Sequence, residues 1–182
     1  MNPPEPGDRA PAPEPLRLVQ RFVNTTDLED EVDAIADPQG LAAWMADAGV
    51  LSPGTAVSPA EHERALALRE AIRDLAGGDA AAAATVDAAA RRARLRPVLG
   101  PALALVPEAE GFDAALGRLV APVYLALADG TWDRLKACER STCRWLFYDA
   151  SRNRSGHWCS MATCGSREKN RRAYRRRRAQ PG

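Results

Sequence analysis

The stretch Cys138-Glu-Arg-Ser-Thr-Cys143-Arg-Trp-Leu-Phe-Tyr-Asp-Ala-Ser-Arg-Asn-Arg-Ser-Gly-His-Trp-Cys159-Ser-Met-Ala-Thr-Cys164 holds all four cysteines of the 182-residue chain. Two close pairs (x4 in each) flank a 15-residue insert. This is the layout of a treble-clef or ribbon-like zinc site, although x2 is the commoner spacing within a pair. Zinc takes four tetrahedral ligands and favours thiolate sulfur, and each close pair supplies two ligands at small entropic cost. Four thiolates, Cys138, Cys143, Cys159 and Cys164, leave no open position for an activated water, so one structural Zn²⁺ per chain is expected. Between the pairs, Trp145–Tyr148 reads as a strand, 153–156 as a polar turn and His157–Cys159 as a returning strand. A segment of roughly 27 residues buries too little surface to fold alone, so the metal must supply much of its stability. Two readings compete with four thiolates on one ion: a pair of disulfides, which a reducing cytosol disfavours, and a site in which His157 replaces one cysteine.

Working outward toward the C-terminus, residues 165–178 read Gly-Ser-Arg-Glu-Lys-Asn-Arg-Arg-Ala-Tyr-Arg-Arg-Arg-Arg. As a helix this segment puts Arg167, Arg171, Tyr174 and Arg178 on one face, with Lys169, Arg172, Arg175 and Arg176 around the rest. Such charge repels itself unless something neutralises it. Phosphates do so by releasing counterions, and the guanidinium fork fits them bidentately. Arg152 and Arg154 in the finger's turn are placed to grip the backbone beside it. Residues 134–182 hold 14 Lys/Arg against 3 Asp/Glu, whereas residues 1–133 hold 11 against 21. The formal net charge of +1 is thus a cancellation between an acidic body and a basic end. That asymmetry points to a polyanionic partner. A solvated tail that binds polyanions without preference is the plainer alternative.

Toward the N-terminus the pattern is helical. Leu16, Val19, Phe22 and Val23 share one face, and Thr25–Asp27 reads as a stop followed by a new N-cap. Asp37-Pro38 opens a second helix carrying Leu41, Trp44 and Met45 inward, closed by Gly49. Ser58-Pro-Ala-Glu61 is a capping box with proline at the first helical position; that helix ends at Gly77-Gly78, and His62 on its first turn is expected to face solvent. Ala80–Arg94 is helical, 95–106 a short β-hairpin, and Phe112–Lys136 one long amphipathic helix kinked at Pro122. Met1–Pro15, with six prolines and four charges, reads as a disordered leader. It lacks the apolar stretch of a secretory signal, and no window is an uninterrupted apolar span, so a cytoplasmic, nucleoid-associated protein free of membrane is expected.

The finger resembles the CGNR zinc-finger family, stress-induced transcriptional regulators of bacteria. The resemblance rests on Cys143-Arg-Trp-Leu-Phe-Tyr-Asp-Ala-Ser-Arg-Asn-Arg154, on Trp158-Cys-Ser-Met-Ala-Thr-Cys-Gly165, and on Arg167 with its basic helix. The name motif stands here as Cys164-Gly-Ser-Arg167, with Ser166 where asparagine is usual. The body resembles the family's N-terminal ABATE-type domain at Phe22-Val-Asn-Thr25, at 41–44 and at Leu68-Arg-Glu-Ala-Ile-Arg73. The resemblance implies a DNA-binding regulator whose N-terminal domain senses a signal.

For a sensor site, Asn24, Thr25, Trp44, Arg69 and Arg73 are the candidates, since an arginine pair with a tryptophan and an amide can hold an anionic or planar effector. The plainer reading pairs both arginines with carboxylates such as Glu70 and places Trp44 in the core. A glycine-rich phosphate loop, an open metal site and a Ser/His/Asp set are all missing from the sequence, which argues against an enzyme. The expected architecture is therefore mainly α: a leader over residues 1–15, a helical sensor domain with a short hairpin over 16–136, and the zinc finger with its basic helix over 137–182. The expected function is DNA binding in transcriptional control, gated by a ligand on the N-terminal domain. An RNA-binding zinc module and a protein–protein adaptor are the alternatives. A homodimer is expected, because one small finger reads few base pairs.

Overall fold

The spacing of Leu16, Val19, Phe22 and Val23 is realised in α1 (Leu16–Val23), with all four buried. The structure is a computed structural model describing residues 9–179; the side chains of Arg172, Ala173 and Ala179 lie outside that description. α2 (Pro38–Asp47) starts where the Asp37 side chain accepts the Gly40 N–H at 2.7 Å. α3 (Pro59–Ala76) starts on the complete Ser58/Glu61 capping box, with the Ser58 N–H donating to Glu61 Oε2 at 2.8 Å. Such caps satisfy amides that a helix start leaves without partners. His62 is buried instead of solvent-facing, because its Nε2 lies 2.8 Å from the Ile35 carbonyl oxygen and so has a partner inside.

Two short strands, β1 (Thr26–Asp27) and β2 (Val32–Asp33), precede α2, and after a 3₁₀ turn α4 (Ala83–Ala93) leads into an antiparallel hairpin, β3 (Leu95–Leu99) with β4 (Leu103–Pro107). α5 (Gly111–Asp129) is the central helix, packed on α1, α4 and β4. It is long and apolar enough to cross a membrane by composition alone, but 61% of it is buried inside this core. Gly117 permits the close approach: a Cβ there would lie 2.6 Å from Ala93 Cβ and 3.1 Å from Pro107 Cβ. The mainly helical architecture with a short hairpin agrees with the sequence reading.

Three local expectations are corrected. Thr26–Asp27 does not start a helix but pairs antiparallel with Val32–Asp33, because Asp27 Oδ1 accepts the Glu29 and Asp30 amides and folds the chain into a tight turn. The long helix α5 does not reach Lys136: it stops at Asp129, where Gly130 turns left-handed (φ 78°) and Asp129 Oδ1 accepts the Thr131 N–H at 2.8 Å. Leu135–Ala137 is instead a strand that pairs antiparallel with Leu146–Tyr148, with Ala137 opposite Leu146. The returning strand expected at 157–159 is therefore not the partner of 146–148, and those residues are not in a strand.

The Leu135–Ala137 strand runs across the junction drawn at 136/137. Leu135 and Leu146 belong to the same buried core as α1 and α5, whereas the four cysteines, Trp145 and Phe147 form a second, smaller cluster. Residues 9–15 of the proline-rich leader are ordered, contrary to the expectation of a disordered segment. Residues 1–8 lie outside the described residues, but Ala12 is buried with its N–H on Gln20 Oε1 at 2.9 Å. Arg9 donates to the Trp158 carbonyl at 3.0 Å and lies over the Phe147 ring.

Candidate zinc centre and nucleic-acid interface

The first ligand pair sits on a knuckle between the two strands just described. The Cys138 N–H donates to the Trp145 carbonyl at 2.9 Å, and the Cys143 and Arg144 amides both donate to the Arg140 carbonyl, so the turn presents both sulfurs to one side. The second pair flanks a helix start: Ser160 Oγ accepts the Thr163 N–H, and a π-helical turn, Met161–Gly165, runs into α6 (Ser166–Ala179). A backbone bond from Glu139 N–H to the His157 carbonyl at 3.0 Å ties the two halves together.

All four Sγ atoms are buried and lie within 4.8 Å of one another. Zinc bound tetrahedrally at about 2.3 Å per sulfur separates its ligands by about 3.8 Å, and the Cys143–Cys159 and Cys159–Cys164 pairs stand at 3.6 Å. Unaided, the four sulfurs cannot all be anions. Hydrogen bonds from Cys143 and Cys159 hold the Cys138 thiol far below its ordinary value, and the bond to Cys138 pushes the Cys143 thiol up to about 12. A divalent cation at the centre removes that conflict. His157 is not drawn into the cluster: its Nδ1 faces Glu139 Oε1 at 2.5 Å and its side chain is exposed.

Asp149 was not singled out from the sequence, yet it organises the finger's outer turn. Its buried carboxylate accepts the Gly156 N–H at 2.7 Å, the Ser151 N–H at 3.1 Å and Lys136 Nζ at 3.1 Å. Burial alone would raise its pKa; the donors from Ser151, Gly156 and Lys136 reverse this and hold it well below the carboxylate range. A side chain at Gly156 would crowd this carboxylate, since a Cβ there would lie 2.8 Å from Asp149 Oδ2. The turn so fixed carries Arg152 and Arg154, both exposed, with Arg154 Nη1 3.2 Å from Asp133. An aspartate followed by polar residues and a glycine is the signature that could have revealed this turn.

The basic helix leaves the zinc site directly from Cys164. Arg167, Lys169, Arg171, Arg175 and Arg176 are exposed on it; the Arg172 side chain lies outside the described residues. Arg171 pairs with the buried Glu168 at 2.9 Å, and Arg178 stacks over Tyr174. Arg167 pairs with Glu29 of the N-terminal domain. Ser166 Oγ donates to the Met161 carbonyl at 3.1 Å, which is the contact serine makes at that motif position.

The five residues read as a sensor site are buried, and four of them are wired to protein groups. Asn24 makes a two-point pair with the Leu146 backbone, Nδ2 to O at 2.9 Å and Oδ1 from N–H at 2.8 Å. Gln20 Nε2 reaches the same carbonyl at 3.3 Å. Arg73 donates to the carbonyls of Arg144 (2.9 Å) and Val23 (2.8 Å) and to Glu70. Arg69 reaches Glu70, Asp33 and Thr25 Oγ1, and Thr25 donates to the Phe22 carbonyl. Trp44 stands apart, tilted on Phe22 with its buried Nε1 unpartnered among the described residues. Asn24, Gln20 and Arg73 thus join the N-terminal domain to the finger's strand. A cleft of about 400 Å³ lies elsewhere, lined by Asp87, Arg91, Arg94, Leu95, Leu105 and Tyr124.

Fold and site together define a helical domain carrying a structural four-cysteine zinc finger that runs into a basic helix. Residues 134–178 match the CGNR zinc finger, and residues 16–131 match the ABATE domain, described as "Putative stress-induced transcription regulator". The chain belongs to this ABATE family of regulators, and its four cysteines hold one structural zinc ion. Neither match is to an enzyme class. No curated protein matches the chain in sequence.

Proposed function

We propose that this regulator binds duplex DNA through the finger and α6, with zinc fixing the direction in which the helix leaves the site. The observation that carries the reading is the run of exposed cations on a 14-residue helix that starts at the last zinc ligand. Such a helix is about 21 Å long, enough to lie along a major groove. Arg167, Lys169, Arg171, Arg172, Arg175 and Arg176 supply the phosphate contacts, with Arg152 and Arg154 gripping the backbone beside them.

Gating by an effector belongs to the same proposal. Asn24, Thr25, Arg69 and Arg73 lie where the N-terminal domain grips the finger, so an anion that recruited Arg73 would free the Arg144 carbonyl and loosen the finger's seat.

The test is binding of labelled duplex DNA across a salt series. Replacing Arg175 and Arg176 with glutamine should flatten the slope of log K against log[salt] by about 1.8, or about 0.9 per phosphate contact. Preference for structured RNA in competition would favour the RNA module. A flat salt dependence would favour the protein adaptor.

A further inference from the structure

Two guanidinium groups from different parts of the finger converge on one carboxylate of the N-terminal domain. Arg140, on the knuckle between the first two cysteines, places Nη1 2.7 Å from Glu29 Oε2. Arg167, in the first turn of α6, holds the other oxygen, Oε1. The pairs link residues 111 and 138 positions apart, so neither arises from local chain geometry.

The site is open on one side. The Arg167 side chain is 49% exposed and that of Glu29 37%, whereas that of Arg140 is 17% exposed and held in place. Glu29 sits on the loop between the two short strands 26–27 and 32–33, in the run Asp27-Leu-Glu-Asp-Glu-Val-Asp33, where five acids repel one another. The base of that loop is fixed to α3 through Arg69 on Asp33 at 2.8 Å. The carboxylate is thus the movable partner and the two guanidinium groups are the built part. A phosphodiester shares one negative charge between two non-bridging oxygens, as a carboxylate does, and paired guanidinium forks suit it.

We infer that Arg140 and Arg167 form a phosphate-binding clamp for the nucleic-acid backbone, which the protein's own Glu29 fills until a phosphate displaces it. Arg140 is an addition to the cations already assigned to the interface. The clamp lies where the knuckle meets the start of α6, so the phosphate it takes sets how deep the helix's N-terminal end enters the groove. Glu29 lowers affinity for any polyanion that fails to displace it, and so acts as a threshold. The inference rests on the proposed DNA-binding role for its occupant, but not for the anion site itself.

The experiment has two arms, each with Glu29→Gln, Asp30→Asn (the adjacent exposed acid, with the same change in charge) and the Glu29→Gln/Arg167→Gln double variant. Arg167 is chosen over Arg140 because Arg140 lies on the knuckle that carries Cys138 and Cys143, where a substitution would disturb the zinc site. Zinc content and thermal unfolding confirm that each variant is folded.

In the first arm, inorganic phosphate is titrated while the arginine Nε–Hε signals are followed by NMR. Glu29→Gln should show saturable shifts of Arg140 and Arg167, and the double variant should not. Absence of shifts in Glu29→Gln overturns the clamp, whatever DNA does. In the second arm, a labelled DNA duplex of mixed sequence is bound across a salt series. One recovered phosphate contact should tighten Glu29→Gln about fivefold near 0.15 M salt and steepen the slope by about 0.9. The double variant should lose that gain, and Asp30→Asn should gain less. Equal gains for Asp30→Asn, or no gain for Glu29→Gln, overturn the inference in favour of a general field effect or a purely structural pair. Phosphate binding without duplex binding by any variant would strike at the DNA reading and remove nucleic acid as the occupant.

Discussion

Replacing Asn24 with alanine removes the two-point pair that fixes the finger's strand to α1. Asn24 is 4% exposed and Leu146 0%, so water cannot take over. The Leu146 carbonyl keeps Gln20 at 3.3 Å, but its N–H loses the Asn24 oxygen. A buried amide left without a partner costs about 1–3 kcal/mol, and a lost hydrogen bond about 1 kcal/mol more, so a loss of about 2–4 kcal/mol is expected. For a protein of this size that lowers Tm by about 4–16 °C. Urea titration and calorimetry measure both. Zinc content should stay at one per chain, because Asn24 does not touch the sulfurs. Gln20→Ala acts on the same Leu146 carbonyl, so the double variant should depart from additivity by about 0.5 kcal/mol or more. A change of less than about 0.5 kcal/mol for Asn24→Ala would mean that apolar packing, not this pair, seats the finger.

Cys159→Ser should abolish zinc binding by elemental analysis and raise hydrogen exchange over 138–164. It should also lower the Tm of the helical domain, because Leu135 and Leu146 belong to that domain's core. Asp149→Asn should cost about 1–3 kcal/mol at neutral pH. The folded pKa of Asp149 lies below its unfolded value of about 3.9, so the stabilisation is complete above that value and is lost as pH falls through the folded pKa. The gap between variant and parent in urea unfolding should therefore be constant from neutral pH to about pH 5 and shrink below it. Tyr124, hydrogen-bonded to Asp87 and pushed up to about 12 by burial and that carboxylate, should give an alkaline ultraviolet titration step near this value that Tyr124→Phe removes. Its contribution to stability is present below the free phenol's pKa of about 10 and is lost as pH rises through the folded value.

The reach of the sequence follows the range of the forces involved. Helix starts at Asp37-Pro38 and Ser58-Pro-Ala-Glu61 were legible because a cap is chosen by residues three apart, and each forms as read. The zinc ligands were legible for a related reason: few side chains bind the ion and their spacing is constrained by one centre. The end of the long helix was misplaced because Gly130 outweighs the apolar period that continues through Trp132 and Leu135, and that period then belongs to a strand. The burial of His62 is not legible in the sequence because its carbonyl partner, Ile35, lies 27 residues away.

Pairing across long separations was decided only in three dimensions. Nothing in the local pattern sends Asn24 to Leu146, Arg73 to the Arg144 carbonyl or Arg9 to Trp158, since polar residues near a helix carry no sign of a backbone partner more than 70 residues away. Sequence alone set the helical body, the metal and the segregation of charge, because caps, apolar periods and ligand chemistry are short-range or compositional. Tertiary structure decided that finger and body share a core and that Glu29 meets Arg140 and Arg167. Those contacts depend on where burial leaves a buried amide, carbonyl or charge in need of a partner.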